Sequence, residues 1–211
     1  MSAIERFRAN LAACPLVAII RGVRPDEAEA IGAAVVEAGI RIIEVPLNSP
    51  EPLVSIERLV RSVGTEATVG AGTVLDPADV RRIADAGGEL IVSPNVDVDV
   101  IRASVAAGLA SAPGYFTPSE AFAAIKAGAH ALKLFPAEAA SPTVLKAQRA
   151  VLPRDIPVLV VGGVTPANMG EYLAVGASGF GLGSGLYSSG RAADDVRERG
   201  RAYVSALAGR G

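Results

Sequence analysis

Short apolar runs recur along the 211-residue chain, each bounded by turn-forming residues and followed by a longer stretch rich in alanine and charge. An apolar run of four to six residues between turn signals reads as a buried strand, and the longer amphipathic stretch as a helix packed on it. The strand cores read this way are Leu16–Ile20, Ile42–Leu47, Thr68–Ala71, Leu90–Ser93, Leu109–Ala112, Ala131–Phe135, Val158–Val161 and Gly179–Leu182. These eight cores start 19 to 27 residues apart, so each interval has room for one helix. Helices are expected near Asp26–Ala38, Pro52–Val63, Pro77–Ala86, Val98–Ala107, Pro118–Ala127, Pro142–Leu152 and Pro166–Val175, with a last one from about Ala192 to Leu207. Residues 2–12 read as a short amphipathic opening helix.

The punctuation agrees. Pro77, Pro118, Pro142 and Pro166 each follow a residue able to cap a helix (Asp76, Thr117, Ser141, Thr165), and proline suits the first helical turn. Arg24-Pro25-Asp26 and Asn95-Val96-Asp97 read as comparable helix starts. Gly39, Gly87, Gly108, Gly128 and Gly176 stand where a left-handed residue ends a helix. Eight strand–helix units in this length predict an α/β fold, a single (β/α)8 barrel domain spanning residues 1–211 with a short N-terminal helix. The competing open, doubly wound sheet is weaker, because Ile20-Arg21-Gly22-Val23-Arg24-Pro25 carries no dinucleotide-binding glycine pattern.

Composition narrows the function classes. Half the residues are hydrophobic and only 4% are aromatic; the apolar content is mostly Ala, Val, Leu and Ile, which suits helices on a parallel sheet. A net charge of −2 without a long basic run predicts no nucleic-acid partner. No apolar run approaches the roughly 18 residues of a membrane span, and the N-terminus lacks the apolar core of a secretory signal. With one cysteine, Cys14, no intrachain disulfide can form, and a cytoplasmic location is expected. Cys14 precedes a proline at a strand start and reads as packing. The one histidine, His130, cannot build a multi-histidine zinc site and reads as structural.

Candidate chemistry centres on Ala129-His130-Ala131-Leu132-Lys133-Leu134-Phe135-Pro136. Side chains alternate along a strand, so Ala131, Lys133 and Phe135 share one face and Leu132 and Leu134 the other. A lysine buried there tends to lose its proton, and only a neutral amine attacks a carbonyl. The alternative is a lysine whose ammonium snorkels to water. The other two lysines, Lys126 and Lys146, fall in helical segments and read as solvated. Glu44 is the carboxylate inside the apolar strand Ile42-Ile43-Glu44-Val45-Pro46, sharing a face with Ile42 and Pro46. In a barrel it faces the same interior as Lys133, either as an acid–base partner or as half of a structural ion pair. Two glycine-rich exits follow strands seven and eight, Gly162-Gly163 and Gly183-Ser184-Gly185, where barrels often bind phosphate.

Five stretches together resemble the class I aldolases that cleave 2-keto-3-deoxy-6-phosphosugar acids, the KDPG/KHG family. They are Ile-Glu-Val-Pro-Leu-Asn-Ser-Pro (43–50), Val-Gly-Ala-Gly-Thr-Val-Leu (69–75), Ile-Val-Ser-Pro-Asn (91–95), Ala-Leu-Lys-Leu-Phe-Pro-Ala (131–137) and Val-Gly-Gly-Val-Thr-Pro-Ala-Asn (161–168). The resemblance implies that Lys133 forms a Schiff base with the substrate ketone and that Glu44 shuttles protons. It implies that Arg21 and Thr73 hold the carboxylate end and hydroxyls, with Phe135 packing nearby, and that Gly162, Gly163 and Ser184 take the phosphate. No metal or other cofactor is implied; the partner is a phosphorylated keto acid, and the expected assembly is a homotrimer. Gluconate-type members carry arginine where this chain has Asn48 and tend to carry threonine where it has Val161. The motif here is similar to the galactonate branch, which implies 2-dehydro-3-deoxy-6-phosphogalactonate as substrate, with the gluconate epimer as the alternative. Three rivals stand beside this reading: a phosphosugar isomerase or epimerase, a metal-dependent aldolase, and a non-catalytic binder of phosphorylated ligands.

Overall fold

The computed structural model describes residues 1–208. Strand β1 (Leu16–Ile19) pairs in parallel with β2 (Ile42–Pro46), and β2 with β3 (Thr68–Gly72). The series continues through β4 (Leu90–Val92) to β5 (Ala110–Ala112). On the other flank β6 (Gly114–Tyr115) pairs with β7 (Leu132–Leu134), then β8 (Val158–Val161) and β9 (Gly179–Leu182), which returns to β1. All these ladders are parallel, as strand–helix–strand crossovers require.

Nine strands are present where eight were expected, and the reason is Pro113. The fifth run does not stop at Ala112; it continues to Tyr115, with a proline that has no N–H to give the ladder. The two pieces act as one bent strand. On one side Gly114 N–H donates to Ser93 O at 2.9 Å; on the other Lys133 N–H donates to Pro113 O at 2.9 Å. The barrel therefore closes across this strand, and the (β/α)8 expectation holds.

Alternation along the strands builds two apolar layers. Leu16, Ala18, Ile20, Ile43, Val45, Leu132 and Leu134 face outward, against the helices. Val17, Ile19, Ile42, Leu90, Val92, Ala131, Leu159 and Val161 fill the interior together with Phe7 and Leu11 from α1 (Ala3–Ala13). Helix α1 starts at Ser2, whose hydroxyl accepts from Glu5 N–H while the Glu5 carboxylate accepts from Ser2 N–H. That reciprocal cap stabilises a short helix that closes the interior at its end of the barrel.

The helices between the strands are α2 (Pro25–Glu37), α3 (Pro52–Val63), α4 (Pro77–Asp85), α5 (Val98–Ala106) and α6 (Pro118–Ala127). They are followed by α7 (Pro142–Arg149), α8 (Met169–Leu173) and α9 (Ala193–Ala208). Proline opens α2, α3, α4, α6 and α7, and Asp76, Asp97 and Thr117 accept backbone N–H groups as caps. Two expectations are corrected. Helix α8 does not start at Pro166: Thr165 and Asn168 bond each other's backbone N–H reciprocally, and that turn delays the helix to Met169. Helix α7 stops at Arg149 rather than Leu152, and Ser141 makes no side-chain cap. The five glycines expected to end helices all have positive φ, between 74° and 104°. Among the described residues, no helix is long and apolar enough to cross a membrane.

Candidate active site

Seven of the eight residues singled out for chemistry line one cleft of about 530 Å3: Arg21, Thr73, Lys133, Phe135, Gly162, Gly163 and Ser184. They come from five strands, β1, β3, β7, β8 and β9, brought together because every strand of a parallel barrel ends on the same face. Glu44, the eighth, lies below that cleft. It lines a small internal cavity of about 10 Å3 with Lys133, Phe7, Ile19 and Val92. Lys133 lines both spaces and so connects the open cleft to the buried carboxylate.

Lys133 is 6% exposed and Glu44 is 1% exposed. Burial pushes the Lys133 ammonium below the usual lysine range; the Glu44 charge acts against this and Arg21 adds to it. Burial likewise pushes the Glu44 carboxyl above the usual range, opposed by Lys133 and Arg21. Both directions have the same cause, the cost of holding charge away from water. Burial thus shifts Lys133 toward the neutral amine, the form that adds to a carbonyl. Lys133 Nζ also stands 5.0 Å from the centre of the Phe135 ring, which lies on the same strand face two residues on. Glu44 Oε2 has no hydrogen-bond partner, an exposed need in a buried group. Its carboxylate fits only because Gly72 stands opposite: a Cβ there would lie 1.5 Å from Glu44 Oε2.

The rim is held by polar contacts. Arg21 Nη1 donates to Asn48 Oδ1 at 2.5 Å, so the residue that departs from the gluconate pattern orients the guanidinium at the mouth. The turn after Arg21 is fastened from two sides: Gly22 N–H donates to the buried Ser49 hydroxyl at 2.9 Å, and Ser189 Oγ–H donates to Gly22 O at 2.7 Å. Thr73 has φ of 57°, a left-handed conformation costly for a β-branched residue. That strain at a strand exit is typical of a site whose surroundings over-determine the backbone. Val161, with no hydrogen-bonding group, lines the cleft beside the glycine pair.

Sequence reasoning did not single out Glu138, Pro94 and Tyr187, which also line the cleft. The Glu138 carboxylate rests against the glycine pair, 2.1 Å from where a Gly162 Cβ would be. Its signal was its place three residues after Phe135, on the loop of the motif already chosen. Tyr187 is buried, donates to Glu27 Oε1 at 2.8 Å, and gave no local signal. His130 accepts the Ser111 N–H at Nδ1 and Cys14 packs in the outer core, so both are structural as expected. Lys126 and Lys146 are exposed. Among the described residues, no group of three or more His, Cys, Asp or Glu side chains could hold a metal ion.

Known proteins are similar to this chain in sequence and fold. A protein 50% identical over 192 residues, from Rhizobium meliloti strain 1021, is named probable 2-dehydro-3-deoxy-6-phosphogalactonate aldolase; the match covers 91% of each chain. The 2-dehydro-3-deoxy-6-phosphogalactonate aldolase of Escherichia coli K12 is 47% identical over 91% of this chain and 94% of its own. A solved structure described as native KDPGal superposes with a TM-score of 0.91 at 47% identity, covering 92% of this chain and 95% of the other. The sequence profile for KDPG and KHG aldolases matches residues 7–199. With the match spanning nearly the whole barrel, this chain belongs to the KDPG and KHG aldolase family.

Proposed function

We propose that this protein is a class I aldolase that reversibly cleaves 2-dehydro-3-deoxy-6-phosphogalactonate into pyruvate and D-glyceraldehyde 3-phosphate. The observation that carries the reading is Lys133: a lysine buried on the inner face of a barrel strand, below an open cleft and above a buried glutamate. The names of relatives at 47–50% identity support the substrate.

Neutral Lys133 adds to the C2 ketone. Protonated Glu44 donates to the departing hydroxyl, and loss of water leaves an iminium and a carboxylate. The iminium accepts the electron pair of the C3–C4 bond as Glu44 removes the C4 hydroxyl proton. Glyceraldehyde 3-phosphate leaves, and Glu44 returns its proton to C3 of the enamine. Water then adds to the resulting iminium and gives a proton to Glu44, and collapse of the carbinolamine releases pyruvate with Lys133 neutral and Glu44 protonated again. Each proton taken by Glu44 is given back within the cycle, which suits a carboxyl whose affinity for protons is raised by burial. Arg21, oriented by Asn48, and Thr73 bind the carboxylate end and hydroxyls, with Phe135 packed beside the amine. Gly162, Gly163 and Ser184 receive the phosphate, so binding far from the reacting bond holds the substrate in register.

Preference for the galactonate epimer rests on Val161 and Asn48. The two substrates differ only at C4, and a wall residue without a hydrogen-bonding group treats the two hydroxyl positions differently from one that has it. A missing partner for a buried polar group costs about 1–3 kcal/mol, a ten- to hundred-fold bias. The protein is further proposed to work as a homotrimer.

Borohydride reduction in the presence of pyruvate, followed by mass spectrometry of the digest, tests the chemistry. Reduction of the iminium fixes pyruvate on the nitrogen, and the adduct is expected on Lys133. An adduct on Lys126 or Lys146, or none, would overturn the reading and bring an isomerase or a phosphate-ligand binder forward.

A further inference from the structure

Two turns frame the proposed phosphate site, Gly162–Val164 after β8 and Gly183–Gly185 after β9. Their carbonyl groups are held by side chains and backbone of the surrounding fold. The N–H groups of Leu186 and Tyr187 donate to Gly183 O at 2.9 and 3.0 Å. Arg191 Nη1 donates to Ser184 O at 3.0 Å and to Leu186 O at 2.8 Å. Arg199 Nη1 reaches Gly185 O at 3.3 Å. On the other turn, Asn168 Nδ2 donates to Gly163 O at 2.9 Å, and the buried Tyr203 hydroxyl donates to Val164 O at 2.9 Å.

A trans peptide is planar, with its N–H and C=O opposed. Fixing the Ser184 carbonyl on Arg191 therefore turns the Gly185 N–H the opposite way, and fixing the Gly163 carbonyl on Asn168 does the same for Val164 N–H. The amides of Gly163, Ser184 and Gly185, beyond the strand ladders, donate to no acceptor among the described residues, while the same residues line the cleft. Successive backbone N–H groups without internal partners form a concavity suited to an anion. Arg191 is itself held in place. Its Nε pairs with Asp195 Oδ2 at 3.1 Å, and Asp195 Oδ1 accepts from Arg199 Nε at 2.9 Å, so one carboxylate holds two arginines at the start of α9. The side chain of Arg191 is 17% exposed. Helix α9 also presses close on the turn, since a Cβ on Gly185 would stand 2.3 Å from the Tyr203 hydroxyl.

We propose that Arg191 is the positioning residue of the phosphate cradle: clamped by Asp195, it fixes the Ser184 and Leu186 carbonyls and so aims the Gly185 N–H at the substrate phosphate. Its guanidinium also sets a positive charge behind the turn. This rests on the reading of Gly162, Gly163 and Ser184 as phosphate ligands. The role is local to one end of the substrate, which separates it from general structural support.

The test is the condensation of pyruvate with D-glyceraldehyde 3-phosphate and with unphosphorylated D-glyceraldehyde, comparing kcat/KM. In Arg191→Ala the ratio of the two is expected to fall about tenfold, the size of one lost charge-assisted hydrogen bond, through KM for the phosphorylated aldehyde. Arg191→Lys, which keeps the charge and one donor, should recover part of the ratio, and carries the comparison if the alanine variant does not fold. Equal losses on both aldehydes would reduce Arg191 to structural support and overturn the inference. An unchanged ratio in both variants, with a wild-type protein that prefers the phosphorylated aldehyde, would overturn it too. A wild-type ratio near one would instead remove the phosphate reading on which it stands.

Discussion

At the scale of single residues, burial sets the proton affinity of the proposed catalytic pair, Lys133 and Glu44, and with it the pH dependence of stability. Unfolded, Lys133 takes up a proton below its ordinary value of 10.5; folded, burial delays that uptake to lower pH. Between those two values the unfolded state binds more protons, so stability is lost as pH falls through the window. Lys133→Met has nearly the same shape and no charge to desolvate. It should abolish turnover and pyruvate trapping while raising the melting temperature at pH 7 by roughly 2–4 °C, the shift expected of about 1 kcal/mol; calorimetry beside the trapping assay checks both. Glu44 has the opposite sign. Its raised folded value means that stability is lost as pH rises from 4.5 through that value. Glu44→Gln keeps the size and cannot cycle a proton, and a drop in kcat of about 10²–10⁴ is expected, with pyruvate still able to bind. A kcat within a few-fold of wild type would leave Glu44 a structural partner of Lys133.

At the scale of elements, local chemistry was legible wherever a segment makes its own decision. The caps Asp76, Asp97 and Thr117 and the helix-ending glycines act within three or four residues of themselves, and they stand where the pattern put them, whereas Ser141 makes no side-chain cap. Asp97 illustrates the energetics. Its carboxylate accepts from Asp99 N–H at 2.9 Å and Val100 N–H at 3.2 Å at the start of α5. Asp97→Ala should cost about 1 kcal/mol, seen as a lower denaturation midpoint with unchanged KM, because α5 contributes no side chain to the cleft. Where a neighbour takes part, the pattern misled. Pro166 looked like a helix start, yet the reciprocal Thr165–Asn168 bonds make a turn first and free Gly163 O for Asn168 Nδ2. The pattern ends the fifth strand core at Ala112, yet the strand crosses Pro113 because hydrogen bonds from both neighbours continue on either side.

At the scale of the whole molecule, barrel closure brings site residues from five strands to one cleft, and the exposed surface sets what lies outside it. Leu75 is 55% exposed and Phe122 is 45% exposed, with Val54 and Phe116 also large and solvent-facing. Apolar surface of this kind is stabilised by covering it, in keeping with the proposed homotrimer. Light scattering coupled to size exclusion should give three times the mass of the chain; a monomeric mass at assay concentrations would refute that assembly. Specificity is also a whole-molecule property here, because the C4 hydroxyl is fixed only when both ends of the substrate are held. The double variant Asn48→Arg, Val161→Thr should move the ratio of kcat/KM for the galactonate and gluconate epimers toward the gluconate by about ten- to hundred-fold. An unmoved ratio would place the choice of epimer elsewhere in the cleft.

The sequence by itself determined what depends on periodicity and on local backbone chemistry. Alternation placed Lys133 and Glu44 on interior faces of their strands. The spacing of apolar runs set the number of strand–helix units, and glycine at strand exits marked turns that line the cleft. Only the tertiary structure decided what depends on residues far apart in the chain. Glu44 lies beneath Lys133 because β2 and β7 face each other across the interior, and it fits because Gly72 on β3 leaves room for its carboxylate. Arg21 is aimed by Asn48, and the Ser184 carbonyl is turned by Arg191. The physical reason is the same in each case. A strand's face is set by its own torsions, while a side chain's partner, its hydration and therefore its charge are set by what closes over it.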